Sequence, residues 1–251
     1  MNNVDAFIAA LPGIGGGVLV TLQLTLGGAV FAFLIALALG LATRSRLLLV
    51  RGASRIVIEF FRGTSLLVQL FWLFYVLPLL GIRLDSLFCG ILALALNYGA
   101  YGAEVVRGGI SAVSIGQFEA SRALNFTSWQ RMRRVIFPQA WAQMVPPFTN
   151  LLIQLLKGTA LATFILLHDL NFFINELRRS TGDTLFAYGI GLVIYFVIAY
   201  LLTLGMNAVE VRAKNRIAAG PTLREVMGLK PPKAISQIDQ TPRSRMTGVI
   251  S

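Results

Sequence analysis

The chain has 251 residues, 56% of them hydrophobic and only 13% charged, with a mean hydropathy of +0.72, where soluble domains sit nearer 45–50% apolar and about 25% charged. Such a chain lives in lipid, and at roughly 20 apolar residues per span it can hold about five or six helices, with no room for a large catalytic or ATP-binding domain. Its 22 Lys+Arg against 11 Asp+Glu give a net charge of +11, which on a soluble chain would raise nucleic acid as a partner, so the placement of the charges has to decide.

In chain order, residues 1–16 form an N-terminal external segment with Asp5 and no Lys or Arg. It lacks the basic opening of a cleaved signal peptide, so the first span is expected to be retained. That span reads from about Val18 to Ala42 and stops at Arg44. A second runs from about Thr64 to Leu80, a third from Leu87 to Val106, a fourth from about Ala140 to Leu156 and a fifth from Leu185 to Val209. The fourth is the most polar, with Gln143, Asn150 and Gln154, and it holds Pro146 and Pro147. Prolines inside a span free carbonyls that neighbouring helices or a water-filled path must satisfy. The stretch Thr159 to Leu167 is too short to cross. The expected fold is an all-α membrane protein of about five transmembrane helices, with a transmembrane domain over residues 17–212. Residues 213–251 read as a flexible basic tail containing Pro221, Pro231, Pro232 and Pro242. No sequence repeat of 20–50 residues is visible.

Basic residues near the span ends set the expected orientation. Arg44, Arg46, Arg51 and Arg55 follow the first span before any acid, and Arg107, Arg122, Arg131, Arg133 and Arg134 follow the third against Glu119 alone. Arg212, Lys214 and Arg216 follow the fifth. The second loop has only Arg83 beside Asp85, and in the fourth Lys157, Arg178 and Arg179 are offset by Asp169, Glu176 and Asp183. The N-terminus is therefore expected outside and the C-terminus in the cytoplasm. The positive charge is absorbed by the membrane, and no nucleic-acid partner is implied.

The third loop carries more chemistry than a connector needs. Ser114-Ile115-Gly116-Gln117 matches a capping box, and a short helix is expected from there through Phe118, Glu119, Ala120, Ser121, Arg122, Ala123 and Leu124. Asn125 tolerates the left-handed conformation that closes a helix. Thr127-Ser128-Trp129-Gln130 offers a second capping box. The small residues Ala120, Ser121 and Ala123, with Glu119 and Arg122 beside them, suit insertion into a groove on another protein.

The run Glu119-Ala120-Ser121, three residues, Asn125, nine residues, Val135, one residue, Phe137-Pro138 resembles the EAA loop of ABC importer permeases, E-A-A-x3-G-x9-I-x-L-P. The register is the same, with Ser121, Asn125, Val135 and Phe137 as mild departures. Other segments resemble the polar amino acid (histidine/glutamine/arginine) type of these permeases. They are Gly17-Val18-Leu19-Val20-Thr21-Leu22-Gln23-Leu24-Thr25 in the first span and Glu59-Phe60-Phe61-Arg62-Gly63-Thr64-Ser65-Leu66-Leu67-Val68-Gln69-Leu70 at the start of the second, with Ser65 where Pro is usual. Ala100-Tyr101-Gly102-Ala103-Glu104-Val105-Val106-Arg107-Gly108-Gly109-Ile110 matches the end of the third, and Leu155-Leu156-Lys157-Gly158-Thr159-Ala160-Leu161-Ala162 resembles L-L-K-D-T-S-L-A. Together these blocks span about residues 17–215.

The resemblance implies the type I ABC permease fold in a bacterial inner membrane and no cofactor. It implies as partners a cytoplasmic ABC ATPase dimer, a second permease subunit, identical or paralogous, and an extracytoplasmic substrate-binding protein. The substrate implied is a small zwitterion, a polar amino acid or a compatible solute such as ectoine. Glu119, Ala120, Ser121, Arg122, Ala123, Asn125 and Pro138 would form the ATPase-coupling loop. The alternative for this segment is an amphipathic helix on the lipid surface, seated by Phe118, Leu124 and Trp129. Glu59 with Arg62, and Glu104 with Arg107, are spaced to pair across one helical turn near the membrane boundary, as anchors or as gating pairs.

Polar groups inside spans are functional candidates by default, which nominates Gln69, Asn97, Tyr98, Tyr101, Thr149, Asn150, Gln154 and Lys157 as lining a substrate path. Asn150 and Gln154, four apart, share a helical face. The alternative is interhelical hydrogen bonding, worth roughly 0.6 kcal/mol per pair. Lys157 could meet a passing carboxylate or snorkel outward. No catalytic site is expected: there is no G-x-x-x-x-G-K-[ST], no G-x-S-x-G, and the single His168 excludes H-E-x-x-H. One Cys (Cys89) and one His give neither an internal disulfide nor a two-Cys or two-His metal site. The rival reading from another class is a non-enzymatic scaffold or passive channel, which has no use for an ATPase-docking loop.

Overall fold

The computed structural model describes residues 3–215, and the expectation of a flexible tail beyond residue 215 lies outside the described residues. Those residues are helical almost throughout. Helix α1 (Asn3–Ala42) crosses position 17 without a break. At about 1.5 Å per residue it is some 60 Å long, twice a hydrocarbon core, so its first third continues past the span. There Ala6 and Ile14 pack into a cluster with Leu170, Ile174, Leu177, Ala187 and Ile198.

The expected second span, Thr64 to Leu80, matches the run Leu66–Leu80, and a separate helix precedes it. Helix α2 (Leu48–Gly63) is followed by α3 (Leu66–Phe71), which continues through a π-helical turn, Trp72–Val76, and a 3-10 turn, Leu77–Leu80. The two meet at 101°. Then come α4 (Ser86–Ser111), α5 (Ile115–Ala123), α6 (Ser128–Arg131), a π-helical turn (Met132–Ile136) and α7 (Phe137–Gly158). A 3-10 turn, Thr159–Ile165, leads to the short α8 (Leu170–Thr181) and to α9 (Thr184–Asn215). By length and composition four helical segments can cross a membrane, and the bent α2–α3 pair makes a fifth. Both π turns end two residues before a proline, Pro78 and Pro138. A proline ring clashes with the carbonyl four residues back, and a widened turn relieves that clash without ending the helix.

The bundle is organised around α1 and α4. Small residues predominate among the buried positions of α1, with Thr21, Thr25, Gly28, Ala32, Ala36 and Gly40 beside the larger Ile14 and Leu24, and small residues permit close helix approach in lipid. A Cβ at Gly40 would stand 2.7 Å from the Val106 Cβ and 2.9 Å from the Ala103 carbonyl oxygen. The backbones are therefore as close there as they can be. Val106 also joins Ala36 of α1 and Ile110, Ile136, Ala140 and Met144 in a second cluster that binds α1 and α4 to α7.

Candidate functional site

The loop between α4 and α7 is a rigid elbow. The second expected capping box is present: the Thr127 hydroxyl accepts from the Gln130 backbone N–H at 3.3 Å, and Gln130 Oε1 accepts from the Thr127 N–H at 3.0 Å. The first is not. Ser114 makes no side-chain cap, and Gln117 Oε1 instead accepts from Gln139 Nε2 at 3.2 Å, tying α5 to α7. The helix starts where expected, held by backbone bonding and that cross-link. Its end is a Schellman closure, with Asn125 at φ 57. Asn125 N–H donates to the Arg122 carbonyl at 2.9 Å and Phe126 N–H to the Ser121 carbonyl at 3.1 Å.

The small residues of α5 do not share one surface. Ser121 is buried with its hydroxyl on the Phe118 carbonyl at 2.8 Å. Glu119, Ala120, Arg122, Ala123 and Asn125 are exposed, with Ile115, Leu124 and Trp129 each about 70% exposed beside them. The elbow thus offers charge and apolar surface outward. Its inner side, Phe118 with Val113 and Met132, packs on the cluster that joins α4 to α7. A force applied to α5 reaches both helices through close-packed contacts.

Three of the path candidates are occupied at the α2–α3 break. The last turn of a helix leaves carbonyls without intrahelical partners, and in lipid each must be satisfied. The Phe60 carbonyl accepts from the Thr64 hydroxyl at 2.8 Å. That of Phe61 accepts from Gln69 Nε2 at 3.0 Å and from Asn97 Nδ2 at 3.1 Å, and that of Arg62 from the Tyr101 hydroxyl at 3.2 Å. Gln69 also holds the Thr64 hydroxyl at 2.6 Å. The Arg62 guanidinium lies 5.4 Å from the Tyr101 ring centroid and 3.3 Å from Glu59. Arg107 Nε donates to Glu104 at 2.9 Å.

On α7, Thr149 turns inward, its hydroxyl on the Val145 carbonyl at 3.0 Å. Asn150, Gln154 and Lys157 are exposed at helical spacing, and Gln143 extends the same stripe. Tyr98 from α4 braces it, donating to the Gln154 carbonyl at 2.8 Å. The helix continues unbroken through Pro146 and Pro147. A polar stripe turned away from its own bundle, in the middle of a span, needs a polar surface or water opposite it.

Sequence reasoning passed over Asp169. It is fully buried between the fourth and fifth spans and caps α8, accepting from the Phe172 N–H at 3.1 Å and from the Thr163 hydroxyl at 2.5 Å. The next residue, Leu170, donates its N–H to the Thr21 hydroxyl of α1 at 3.1 Å. Burial pushes the Asp169 carboxyl above its ordinary value, and its hydrogen bonds pull the other way without winning. An Asp three residues before Phe-Phe is a helix-start signal, but its Thr163 partner lies on another element.

The sequence model of the family described as binding-protein-dependent transport system inner membrane component matches residues 28–215. A probable amino-acid ABC transporter permease of Sinorhizobium fredii is 47% identical over 203 residues, covering 78% of this chain and 85% of that protein. An L-cystine transport system permease of Bacillus subtilis is 35% identical over 208 residues, covering 82% and 89%. Among solved structures, an amino acid ABC transporter crystallised with histidines superposes with a TM-score of 0.77 at 32% identity, covering 84% of this chain and 99% of that one.

Proposed function

Because the chain belongs to the binding-protein-dependent transport system inner membrane component family, we propose a specific division of labour among the parts described above. The chain is an inner-membrane permease of an amino-acid ABC importer, a transport subunit whose family works with an ATPase and a substrate-binding protein. In our reading the N-terminus is outside, residues 1–16 lie on the external side, residues 17–212 form the transmembrane domain, and ATP is hydrolysed on a separate cytoplasmic dimer. The exposed surface of α5, with Glu119, Ala120, Arg122 and Ala123, docks on that dimer. Asn125 and Pro138 set the angle at which α5 leaves the bundle, and Ser121 fixes its inner side.

The observation that carries the reading is the combination of an outward polar and apolar surface on α5 with an inward face packed on both α4 and α7. A passive channel or scaffold has no use for such a lever. We further propose that Asn150, Gln154 and Lys157 line one wall of the path and that a second permease copy or paralogue supplies the other, so that alternating access proceeds around a midplane site. Thr149 and Tyr98 hold that wall in place, and Gln69, Asn97 and Tyr101 hold the bend beside it. The substrate proposed is a zwitterion, an amino acid or a relative such as ectoine, whose carboxylate Lys157 would meet. Uptake of labelled amino acids and ectoine by cells with and without the chain tests this. Loss of uptake confined to one zwitterion class is expected, and unchanged uptake of all of them would overturn the substrate reading.

A further inference from the structure

Helix α2 meets the segment that follows it at 101°, and its three faces differ in chemistry. Ser54 and Ile58 are buried against the bundle. A second face carries Leu49, Ile56, Val57 and Phe60, of which Leu49 is 86% exposed and Ile56 71%. On the opposite side of the helix lie Arg51, Arg55, Glu59 and Arg62. With Arg44 and Arg46 just before it, the segment places four arginines ahead of its first acid, and none of those four pairs with a carboxylate among the described residues. Low overall hydrophobicity with apolar and basic faces segregated except at Leu48, exposed on the basic side at the first turn, is the pattern of a helix lying in the membrane interface rather than through it.

The geometry supplies an independent reason. α3 and its extensions, Leu66–Leu80, rise only about 22 Å at helical pitch, short of the roughly 30 Å hydrocarbon core. The deficit of about 8 Å places the bend below the headgroups, which matches the depth of roughly 5–10 Å at which an interfacial helix rests. The carbonyls at that bend are closed by Gln69, Asn97, Tyr101 and Thr64, as backbone away from water requires. The Arg44 guanidinium donates to the Ser111 hydroxyl at 3.0 Å, so the basic stretch sits at the same end of the bundle as the elbow.

We propose that α2 is an anionic-phospholipid docking helix. Its Leu49, Ile56, Val57 and Phe60 face is sunk among acyl chains, and Arg44, Arg46, Arg51 and Arg55 engage the headgroup phosphates. The occupant follows from charge complementarity with an unpaired basic cluster together with an apolar face that, without lipid, would stand in water. The reading rests on the membrane location of the chain and not on its substrate.

The test uses the full-length chain in phosphatidylcholine bilayers containing phosphatidylglycerol, with Cys89→Ala removing the single native thiol. Nitroxides attached through Ile56→Cys, Phe60→Cys and Glu59→Cys report accessibility to oxygen, which partitions into lipid, and to a water-soluble nickel chelate. Labels at positions 56 and 60 should be oxygen-accessible and nickel-shielded, and the label at 59 the reverse. Nickel access at 56 and 60 would overturn the proposal and indicate a surface awaiting a protein partner. Spin-labelled phosphatidylglycerol should be immobilised in preference to spin-labelled phosphatidylcholine. Replacing the four arginines together (Arg44→Gln, Arg46→Gln, Arg51→Gln, Arg55→Gln) should cut that preference by about fivefold or more. On the wild-type chain, added salt should erode the preference without any substitution. Absence of a preference, or one indifferent to salt and to the arginines, would equally overturn it.

Discussion

Asn125 holds φ 57 at the corner of the elbow, a conformation that costs most residues about 1–2 kcal/mol and Asn less. Asn125→Gly should therefore leave stability unchanged or raise it by up to about 1 kcal/mol, whereas Asn125→Val should lower the melting temperature and expose the elbow to protease. This residue is legible in sequence because its chemistry is local: a helix, one tolerant residue, then a second cap. Asp169 is the opposite case, since its environment comes from Thr163 on the preceding turn and from its burial beside α1. A carboxyl raised by burial favours its protonated form in the fold. Its contribution to stability is present below the unfolded pKa and is lost as pH rises through the raised folded value. Asp169→Asn keeps an N-cap and removes that titration, so melting temperature measured against pH should be flatter for the variant than for wild type. Asp169→Ala also loses the cap, which should cost about 1 kcal/mol at low pH and less as pH rises through the raised folded value.

At the scale of elements, the spans were readable and the separate helix bent away ahead of the second one was not. Long apolar runs reveal where a chain can cross lipid, but a run does not encode direction. The segment 48–63 reads as a basic connector when only its charges are counted, although Leu49, Ile56, Val57 and Phe60 already lie on one side and Arg51, Arg55 and Glu59 on the other. Gln69, Asn97 and Tyr101 were legible as residues for a path or for hydrogen bonds between helices, and the carbonyls they meet at the bend were not, because those lie on a separate element. Replacing Gln69 and Asn97 together by Leu removes both donors to the Phe61 carbonyl and should destabilise the chain by about 1–3 kcal/mol, read by thermal unfolding in detergent. Gly40→Leu should do at least as much damage, because the Val106 side chain and the Ala103 carbonyl occupy the space its side chain would need. Loss of yield or melting temperature in that variant, with Gly52→Ala at an open position as control, is the expected result.

Across the whole molecule, one cluster connects the candidate coupling surface to the candidate path. Phe118 and Val113 of the elbow pack with Ile110 on α4 and with Ile136, Ala140 and Met144 leading into α7. The stripe of Asn150, Gln154 and Lys157 continues along that same α7. In the proposed division of labour, tilting α5 would tilt the wall that carries the stripe. The register of the loop motif pointed to this part of the chain from sequence alone. The inward turn of Ser121 and the cross-link from Gln117 to Gln139 were not legible, because both depend on how α5 lies against α7. The most direct measurement compares wild type and Glu119→Lys after reconstitution in proteoliposomes with the ATPase and the substrate-binding protein. Membrane insertion and melting temperature should be unchanged while ATP-driven uptake falls at least about tenfold, as a reversed charge at a docking surface demands. Normal uptake by the Glu119→Lys protein would contradict the account.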